Sequence, residues 1–333
     1  MKRSVLICLT IAMAQTTHTR AEPAMADEAF TASYDGTEQR YVQILPDGFD
    51  STARHDMLIG LHGLYADRWQ FATDTRDECR AARDAAAERN MIYISPDYRG
   101  PSCMNTPAES DVVQIIGLVK ARHLVNRVFI CGASMGGHSS LILAILHPRM
   151  IDGIAAMNCK ANMTDPTPYA AEIATAYGGT PEEVPEEYYK RSAEFFPDSF
   201  LVPLGMALSG KDDIVPPASS LRLAQYLRDR NKRVLVVYEP DFGHYTNYAD
   251  ARTILDFAID SAAASVPVCP RPGQALRVWS RTAGDAALLG FEPATGGTAI
   301  VTDLAGRSVL QSFGVRRAPA CVLRISGDDT RGR

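Results

Sequence analysis

Short apolar runs recur along most of the chain, and segments whose apolar residues repeat at helical spacing separate them. The runs predict strands, which cover residues 41–45, 57–61, 91–95, 128–131, 152–157, 201–208 and 233–238. The helical spacing predicts helices at residues 81–89, 112–121, 139–146, 218–228 and 249–263. Strands that alternate with helices predict an α/β fold with a mostly parallel sheet and helices on both of its faces.

The pattern changes near residue 265. Residues 265–272 are rich in proline and predict a linker, and the helical spacing then gives way to short alternating runs. Residues 299–307 and 320–326 are typical of strands separated by glycine turns. We therefore expect an α/β domain at residues 27–264 and a small β-sandwich-like module at residues 273–333.

The amino terminus has the layout of a secretory signal peptide. Basic residues precede an apolar run at residues 5–14, and small residues follow it. The run is about half as long as the ~20 apolar residues that a membrane-spanning helix needs. We expect a signal peptide at residues 1–26, cleaved after Ala26 or alternatively after Ala21, and a secreted or periplasmic protein without a membrane span.

Composition narrows the class of protein further. Of 333 residues, 46% are hydrophobic and 22% are charged, which is typical of a soluble globular chain. The formal net charge is −5, and no basic patch interleaved with aromatic residues occurs. Nucleic acid is therefore not an expected partner.

The most informative motif is the glycine-rich segment at residues 132–137. It follows the predicted strand at 128–131 and precedes the predicted helix at 139–146, so Ser134 lies on a sharp strand-to-helix turn. A nucleophilic serine needs such a turn, because a base and backbone N–H groups must reach its hydroxyl. The glycines on either side of Ser134 allow strand and helix to approach closely. The Gly-Lys-Ser/Thr ending of a phosphate-binding loop is missing here.

A general base and an acid should follow the serine in the chain. His244 is the histidine that lies beyond Ser134 by more than one helix, and it directly follows the last predicted strand of the α/β domain. Open α/β sheets place their chemistry at this end of their strands. The acid, which would orient the imidazole, is Asp212 or Asp213, on the loop after the preceding predicted strand.

A serine nucleophile also needs two backbone donors for the oxyanion that forms. The N–H of Met135, the residue after the nucleophile, is the first expected donor. The predicted strand at 57–61 ends in His-Gly, which makes the N–H of Leu64 the second expected donor.

Together these segments resemble the α/β-hydrolase family, and more narrowly its secreted esterases of the feruloyl esterase, acetylxylan esterase and polyhydroxybutyrate depolymerase type. The resemblance covers residues 40–263 and rests on residues 61–64, 95–100, 132–137, 210–217 and 243–245. It implies acyl transfer through an acyl-enzyme on Ser134, with no metal and no organic cofactor. It favours Asp212 as the acid, because the acid in this family lies three residues before a valine and four before a proline. A count from the preceding glycine selects Asp213 instead.

Residues 160–199 form a longer connection than a simple crossover needs, and the resemblance implies that they cap the active site. Tyr188 in this connection and Trp69 after the oxyanion loop are predicted to contact substrate. Packing against the sheet is the alternative role for such aromatic residues.

Six cysteines lie beyond the predicted signal peptide. An even number in an exported chain permits disulfides, and Cys79–Cys103 and Cys269–Cys321 are the predicted pairs. Cys131 and Cys159 end predicted strands and are expected to be buried hydrophobic residues. No cysteine or histidine spacing fits a zinc site, so no metal is expected.

These features predict an exported serine hydrolase of carboxylic esters. The resemblance favours acetyl or feruloyl esters of cell-wall polysaccharides as its substrates. A serine peptidase of the prolyl oligopeptidase type is one alternative, and a non-catalytic binding protein on the same fold is another. The carboxyl-terminal module resembles β-rich tails of secreted bacterial proteins that serve sorting or attachment, so its expected partner is a carbohydrate or a cell surface. A stabilising appendage is the alternative.

Overall fold

The computed structural model of the chain describes residues 24–263 and, beyond them, the backbone of five strands. The chain divides into two units, Met1–Ser265 and Val266–Arg333. Across the residues described, no helix has both the length and the apolar character that crossing a bilayer requires.

Eight strands of the first unit form one sheet. They are β1 (Ala24–Thr31), β2 (Glu38–Leu45), β3 (His55–Leu61), β4 (Ile92–Pro96), β5 (Val125–Ala133), β6 (Gly153–Met157), β7 (Leu204–Ser209) and β8 (Val234–Glu239). Their order in the sheet is β1-β2-β4-β3-β5-β6-β7-β8. The pairs β1/β2 and β2/β4 are antiparallel, and all other neighbours are parallel. The predicted mostly parallel sheet is confirmed.

Helices cover both faces of this sheet. They are α1 (Arg68–Thr73), α2 (Asp77–Glu88), α3 (Thr106–Arg122), α4 (Met135–Leu146), α5 (Ala170–Tyr177), α6 (Pro185–Tyr189), α7 (Ala218–Asp229) and α8 (Tyr248–Ala263). One hydrophobic cluster contains residues of α3, α4, α5 and α7, and a second contains residues of α1, α2 and α8. The predicted α/β architecture is therefore confirmed, and the neighbours compared below share it.

The central strands are apolar along their whole length because both of their faces are buried. In β5, Val128 and Ile130 pack in the first cluster, whereas Phe129 and Cys131 pack in the second. Successive side chains of a strand point to opposite faces, so a strand between two helix layers needs apolar residues at every position. This burial explains why continuous apolar runs predicted the strands.

Strand β1 begins within the predicted signal peptide, residues 1–26. All eight residues of β1 pair with β2, from Ala24 with Leu45 to Thr31 with Glu38. Cleavage after Ala26 would remove three paired residues from this ladder, whereas cleavage after Ala21 would leave it whole. The rest of the predicted signal peptide lies outside the described residues.

In the second unit, five strands are described by their backbone alone. They are β9 (Arg277–Ala283), β10 (Ala286–Glu292), β11 (Thr298–Thr302), β12 (Ser308–Gly314) and β13 (Cys321–Ser326). Antiparallel pairing joins β13, β10 and β9 in one sheet and β11 and β12 in another. The sandwich-like packing of this module stays a prediction.

The predicted disulfide between Cys79 and Cys103 is wrong. Both thiols are free and buried. Cys79 packs in the cluster of α1, α2 and α8, and Cys103 packs in the other cluster, so the sheet separates them. Cys131 and Cys159 are buried as expected. The predicted bond between Cys269 and Cys321 involves side chains outside the described residues.

Candidate active site

Ser134 occupies a strained turn between β5 and α4. Its φ and ψ are 57° and −120°, a conformation that is rare for a residue with a side chain. Such a conformation costs on the order of 1–3 kcal/mol and clusters at functional sites. The hydroxyl does not cap α4, and the Ser134 N–H donates to the carbonyl of Met157 at 2.9 Å. Among the described residues, the Ser134 hydroxyl therefore has no hydrogen-bond partner, and it is available to act as a nucleophile.

Two glycines make this turn sterically possible. A Cβ on Gly132 would overlap the backbone of Gly136, and a Cβ on Gly136 would overlap the carbonyl group of Leu61. Strand β5, helix α4 and the end of β3 thus approach each other too closely for any side chain at these positions. The motif places Ser134 at the carboxyl edge of the sheet for this packing reason.

His244 and Asp212 form a hydrogen-bonded pair at the same edge. The distance from His244 Nδ1 to Asp212 Oδ2 is 2.7 Å. The other carboxylate oxygen of Asp212 accepts from the backbone N–H groups of Ile214 and Val215, at 3.1 Å and 2.8 Å. Asp212 is buried, whereas Asp213 is exposed. Of the two aspartates that the sequence left open, Asp212 is the one that contacts the histidine.

The surroundings of Asp212 stabilise its ionised form. Burial by itself raises the pKa of this carboxyl, but hydrogen bonds from His244, the Val215 N–H and Asn158 outweigh burial and lower the pKa below its ordinary value. A carboxylate that remains charged can hold the imidazole in one tautomer and stabilise the imidazolium.

Asn158, which the sequence analysis missed, connects the parts of this site. Its Nδ2 donates to Asp212 Oδ2 at 3.0 Å and to Ser209 Oγ at 2.9 Å, and its Oδ1 accepts from Thr246. The residue is buried and adopts a φ of +43°, which asparagine tolerates better than most residues. An asparagine directly after β6, at the edge where Ser134 follows β5, was the available sequence signal.

The two expected oxyanion donors lie next to Ser134. Leu64 and Met135 line the same small cavity as the serine. Met135 is the first residue of α4, so its N–H has no acceptor within the helix. The Leu64 N–H has no acceptor among the described residues. His62 supports this loop, because its ring nitrogens lie 2.7 Å from the Gly63 carbonyl oxygen and 2.9 Å from the Asp97 carbonyl oxygen.

The chain order places the three side chains at the ends of neighbouring parallel strands. Ser134 follows β5, Asp212 follows β7 and His244 follows β8, and the sheet order is β5-β6-β7-β8. Among the described residues, no hydrogen bond joins the Ser134 hydroxyl to the His244 imidazole. Bonds of this kind often become short only when substrate is bound.

The cavity beside Ser134 has a volume of about 30 Å³. Besides the residues named above, its lining includes His138, Lys160 and residues of the connection that the sequence assigned to a cap, Thr167, Tyr169, Glu172 and Ile173. Helix α5 of that connection therefore contributes one wall of the cavity.

The two predicted substrate contacts lie elsewhere. Tyr188 is 2% exposed, packs edge-on against Tyr177 and donates its hydroxyl to the Gly179 carbonyl at 3.1 Å. The ring belongs to the hydrophobic core, which favours the alternative role in packing over a substrate contact. Trp69 is 37% exposed, lies against the Arg68 guanidinium and does not line the cavity.

In the part of the chain that the structure describes, no group of three or more histidine, cysteine, aspartate or glutamate side chains is arranged to hold a metal ion. The site offers a serine hydroxyl, an imidazole held by a carboxylate, and backbone N–H groups. This set of groups can carry out nucleophilic acyl transfer.

Sequence comparison matches residues 80–262 to the prolyl oligopeptidase family, which is more than half of the chain. No curated protein sequence matches. Many solved structures share the fold.

Three of the similar structures illustrate the range. The S-formylglutathione hydrolase of Staphylococcus aureus is 18% identical with a TM-score of 0.56, over 73% of this chain and 99% of that one. The ferulic acid esterase of Anaeromyces mucronatus is 16% identical with a TM-score of 0.53, over 72% and 92%. The acylaminoacyl peptidase of Pyrococcus horikoshii is 14% identical with a TM-score of 0.56, over 72% and 40%. The chain spans 36–40% of the length of the peptidases it matches.

Proposed function

The chain belongs to the prolyl oligopeptidase family of serine hydrolases, and from that premise we propose that it hydrolyses carboxylic esters through an acyl-enzyme on Ser134. The observation that carries the proposal is the hydrogen bond of 2.7 Å between His244 and Asp212, at the sheet edge where Ser134 stands on its strained turn. No other acid and imidazole pair among the described residues lies at that edge.

In the proposed reaction, His244 removes the proton of the Ser134 hydroxyl as the oxygen attacks the ester carbonyl. The backbone N–H groups of Leu64 and Met135 donate to the oxyanion of the tetrahedral intermediate. His244 then protonates the departing alcohol, and the ester C–O bond breaks. Water, deprotonated by the same imidazole, attacks the acyl-enzyme. The bond between the acyl carbon and the Ser134 oxygen then breaks, the imidazolium returns its proton to that oxygen, and the acid is released. Asp212 keeps the imidazole oriented and stabilises its positive charge throughout.

One observation supports an esterase over a peptidase, and a second supports a small acyl group. The ferulic acid esterase and the formylglutathione hydrolase are covered over 92% and 99% of their lengths, whereas the peptidases are covered over less than half. The cavity of about 30 Å³ beside Ser134 is larger than the ~10–15 Å³ that one water molecule needs. A cavity of this size has room for a small group such as an acetyl methyl group.

We extend the proposal to the natural substrate and its location. We propose that the protein is exported and that acetyl esters of cell-wall polysaccharides are its substrates. In this proposal the carboxyl-terminal module attaches the enzyme to a carbohydrate or a cell surface. Incubation with acetylated and feruloylated xylan should release acetate in excess of ferulate, and mass spectrometry of the exported protein should locate its first residue.

The direct test of the chemistry is covalent labelling followed by kinetics. A fluorophosphonate should label the protein on Ser134, and the label should be absent in Ser134→Ala and strongly reduced in His244→Ala. His147→Ala is the matched control, because His147 is also paired with a carboxylate, Glu109 at 2.9 Å, but lies at the far end of α4, about 18 Å along the helix. A folded protein that takes no label would favour a non-catalytic role.

A peptidase is the second candidate, because the family match favours it. Both candidates use the same Ser134 chemistry, so the substrates must distinguish them. Hydrolysis of p-nitrophenyl acetate without cleavage of proline anilides supports the esterase. Cleavage of the anilides with a kcat/KM comparable to that for p-nitrophenyl acetate would refute the esterase proposal and support the peptidase.

A further inference from the structure

The cavity beside Ser134 contains a buried lysine without a charged partner. Lys160 lies three residues after β6 and is 4% exposed. Its ammonium donates to the backbone carbonyl of Asp165 at 2.7 Å, and it forms no ion pair within residues 24–263. A buried ammonium is costly unless an anion compensates its charge, so an uncompensated one at a reactive site points to a ligand.

The carboxylates near Lys160, those of Asp165 and Glu172, contact other side chains. The Asp165 carboxylate lies 3.4 Å from the Arg222 guanidinium. Glu172 lines the cavity, but its carboxylate accepts a hydrogen bond from the Tyr65 hydroxyl and is partly exposed, so solvent screens its charge.

A second polar side chain in the cavity also lacks a partner. His138 lies one helical turn after Ser134 and is 6% exposed, and neither of its ring nitrogens has a hydrogen-bond partner among the described residues. Burial, together with the charges of Lys160 and His244, lowers the pKa of His138 to about 3, so its imidazole is neutral. A neutral imidazole provides one donor and one acceptor.

We propose that Lys160 and His138 form a subsite that binds a carboxylate on the acyl part of the substrate, adjacent to the ester carbonyl. The inference rests on the proposed function, since it names the acyl class that the same site prefers. The cavity volume of about 30 Å³ admits the end of a short group. The ammonium has donors beyond the one used by Asp165, and charge-assisted hydrogen bonds to a carboxylate are strong. Among acyl groups of equal size, those that end in a carboxylate are therefore preferred over neutral ones.

This subsite should depend on pH. Burial lowers the pKa of Lys160 to about 8, against smaller opposing effects of Asp165 and Cys103. The Cys103 thiol stays neutral in this range because burial raises its pKa to about 12, and His138 is neutral as well. The ammonium form therefore predominates below a pH of about 8, and the preference for an anion should disappear as the pH rises through that value.

Binding tests the subsite independently of catalysis. In Ser134→Ala protein, calorimetry compares monomethyl fumarate with methyl crotonate, which has a methyl group where fumarate has its carboxylate. We expect the anion to bind about tenfold more tightly or better one unit below the pKa of Lys160. Lys160→Met and Lys160→Gln in the same background should abolish this preference. Lys211→Met is the matched control, because Lys211 is an exposed lysine paired with Asp241.

Kinetics separates this inference from the proposed function. The wild-type protein is assayed with the mono-p-nitrophenyl ester of fumarate and with p-nitrophenyl crotonate. A ratio of kcat/KM that favours fumarate, and that Lys160→Met removes, supports the subsite. Hydrolysis of both esters without preference would overturn the subsite and leave the esterase proposal standing. Anion binding that depends on Lys160, without hydrolysis of either ester, would keep the subsite and refute the esterase.

Discussion

Asn158 offers the sharpest test of how the active site is held together. Replacement of Asn158 by alanine removes the donor to Asp212 Oδ2 at 3.0 Å, the donor to Ser209 Oγ at 2.9 Å and the acceptor for Thr246. None of these groups touches the reacting ester, so Asn158 is a positioning residue. Its loss should act through the orientation and charge of Asp212.

The expected magnitude follows from the contact with the carboxylate. A hydrogen bond to a charged group contributes about 1.5–3 kcal/mol. Since each ~1.4 kcal/mol is a factor of ten in rate, kcat/KM should fall about 10- to 100-fold. The fall should appear mainly in kcat, because Asn158 does not line the cavity that binds substrate.

The pH dependence should change in a defined direction. The folded-state pKa of Asp212 is lowered, so the stability that its carboxylate contributes is present above the unfolded pKa and is lost as the pH falls through the folded value. Asn158→Ala removes one of the hydrogen bonds that lower this pKa. The loss of stability in acid should therefore move to higher pH.

Asn231→Ala is the matched control for the backbone. Asn231 has a φ of +52° and is exposed, whereas Asn158 has a φ of +43° and is buried in the site. Both alanine variants should lose up to about 1–2 kcal/mol of stability from the left-handed conformation. Only Asn158→Ala should lose activity, measured with p-nitrophenyl acetate beside thermal unfolding. A folded Asn158→Ala protein within twofold of the wild-type kcat/KM, or an equal loss in both variants, would refute the reasoning.

Three further predictions concern the scaffold. Gly136→Ala should lower the melting temperature sharply, because its Cβ would overlap a backbone carbonyl, whereas Gly117→Ala in an open helical position should gain about 0.5–1 kcal/mol. Arg191→Ala should cost about 3 kcal/mol in denaturant unfolding. This fully buried guanidinium donates to the backbone carbonyl oxygens of Met104 and Glu187 and to the side chains of Glu187 and Thr106. Native protein should resist alkylation at Cys79 and Cys103, because burial raises the pKa of each thiol to about 12.

Each of these has a result that would contradict it. Equal melting temperatures for the two glycine variants would remove the packing argument for the nucleophile turn. Arg230→Ala, which breaks an exposed ion pair with Asp198, should change stability little, and a cost equal to that of the Arg191 variant would contradict the importance of burial. A disulfide-linked Cys79–Cys103 peptide in a digest of native protein would overturn the separation of the two thiols.

Much of the fold was predictable because its signals are local. A strand buried on both faces must be apolar throughout, and a helix that covers such a sheet must be apolar on one face. The sequence alone therefore predicted β5 and α4. The turn at Ser134 was readable for the same reason, since only glycine fits where Gly132 and Gly136 meet other backbone atoms. The candidate histidine followed from its place after a strand.

Contacts between distant segments decided the rest. The sequence left Asp212 and Asp213 open, and the loop conformation buried one against His244 and exposed the other. Tyr188 belongs to the connection that lines the cavity, but its ring packs in the hydrophobic core.

The sequence by itself determined the layers of this protein, the place of its nucleophile and the order of its candidate catalytic residues. The tertiary structure alone decided that Asn158 supports Asp212, that Lys160 and His138 share the cavity of Ser134, and that Cys79 and Cys103 lie apart. The physical reason is that periodicity records the surroundings of each residue along its own element. Which side chains meet across elements depends on the register and packing of the whole sheet.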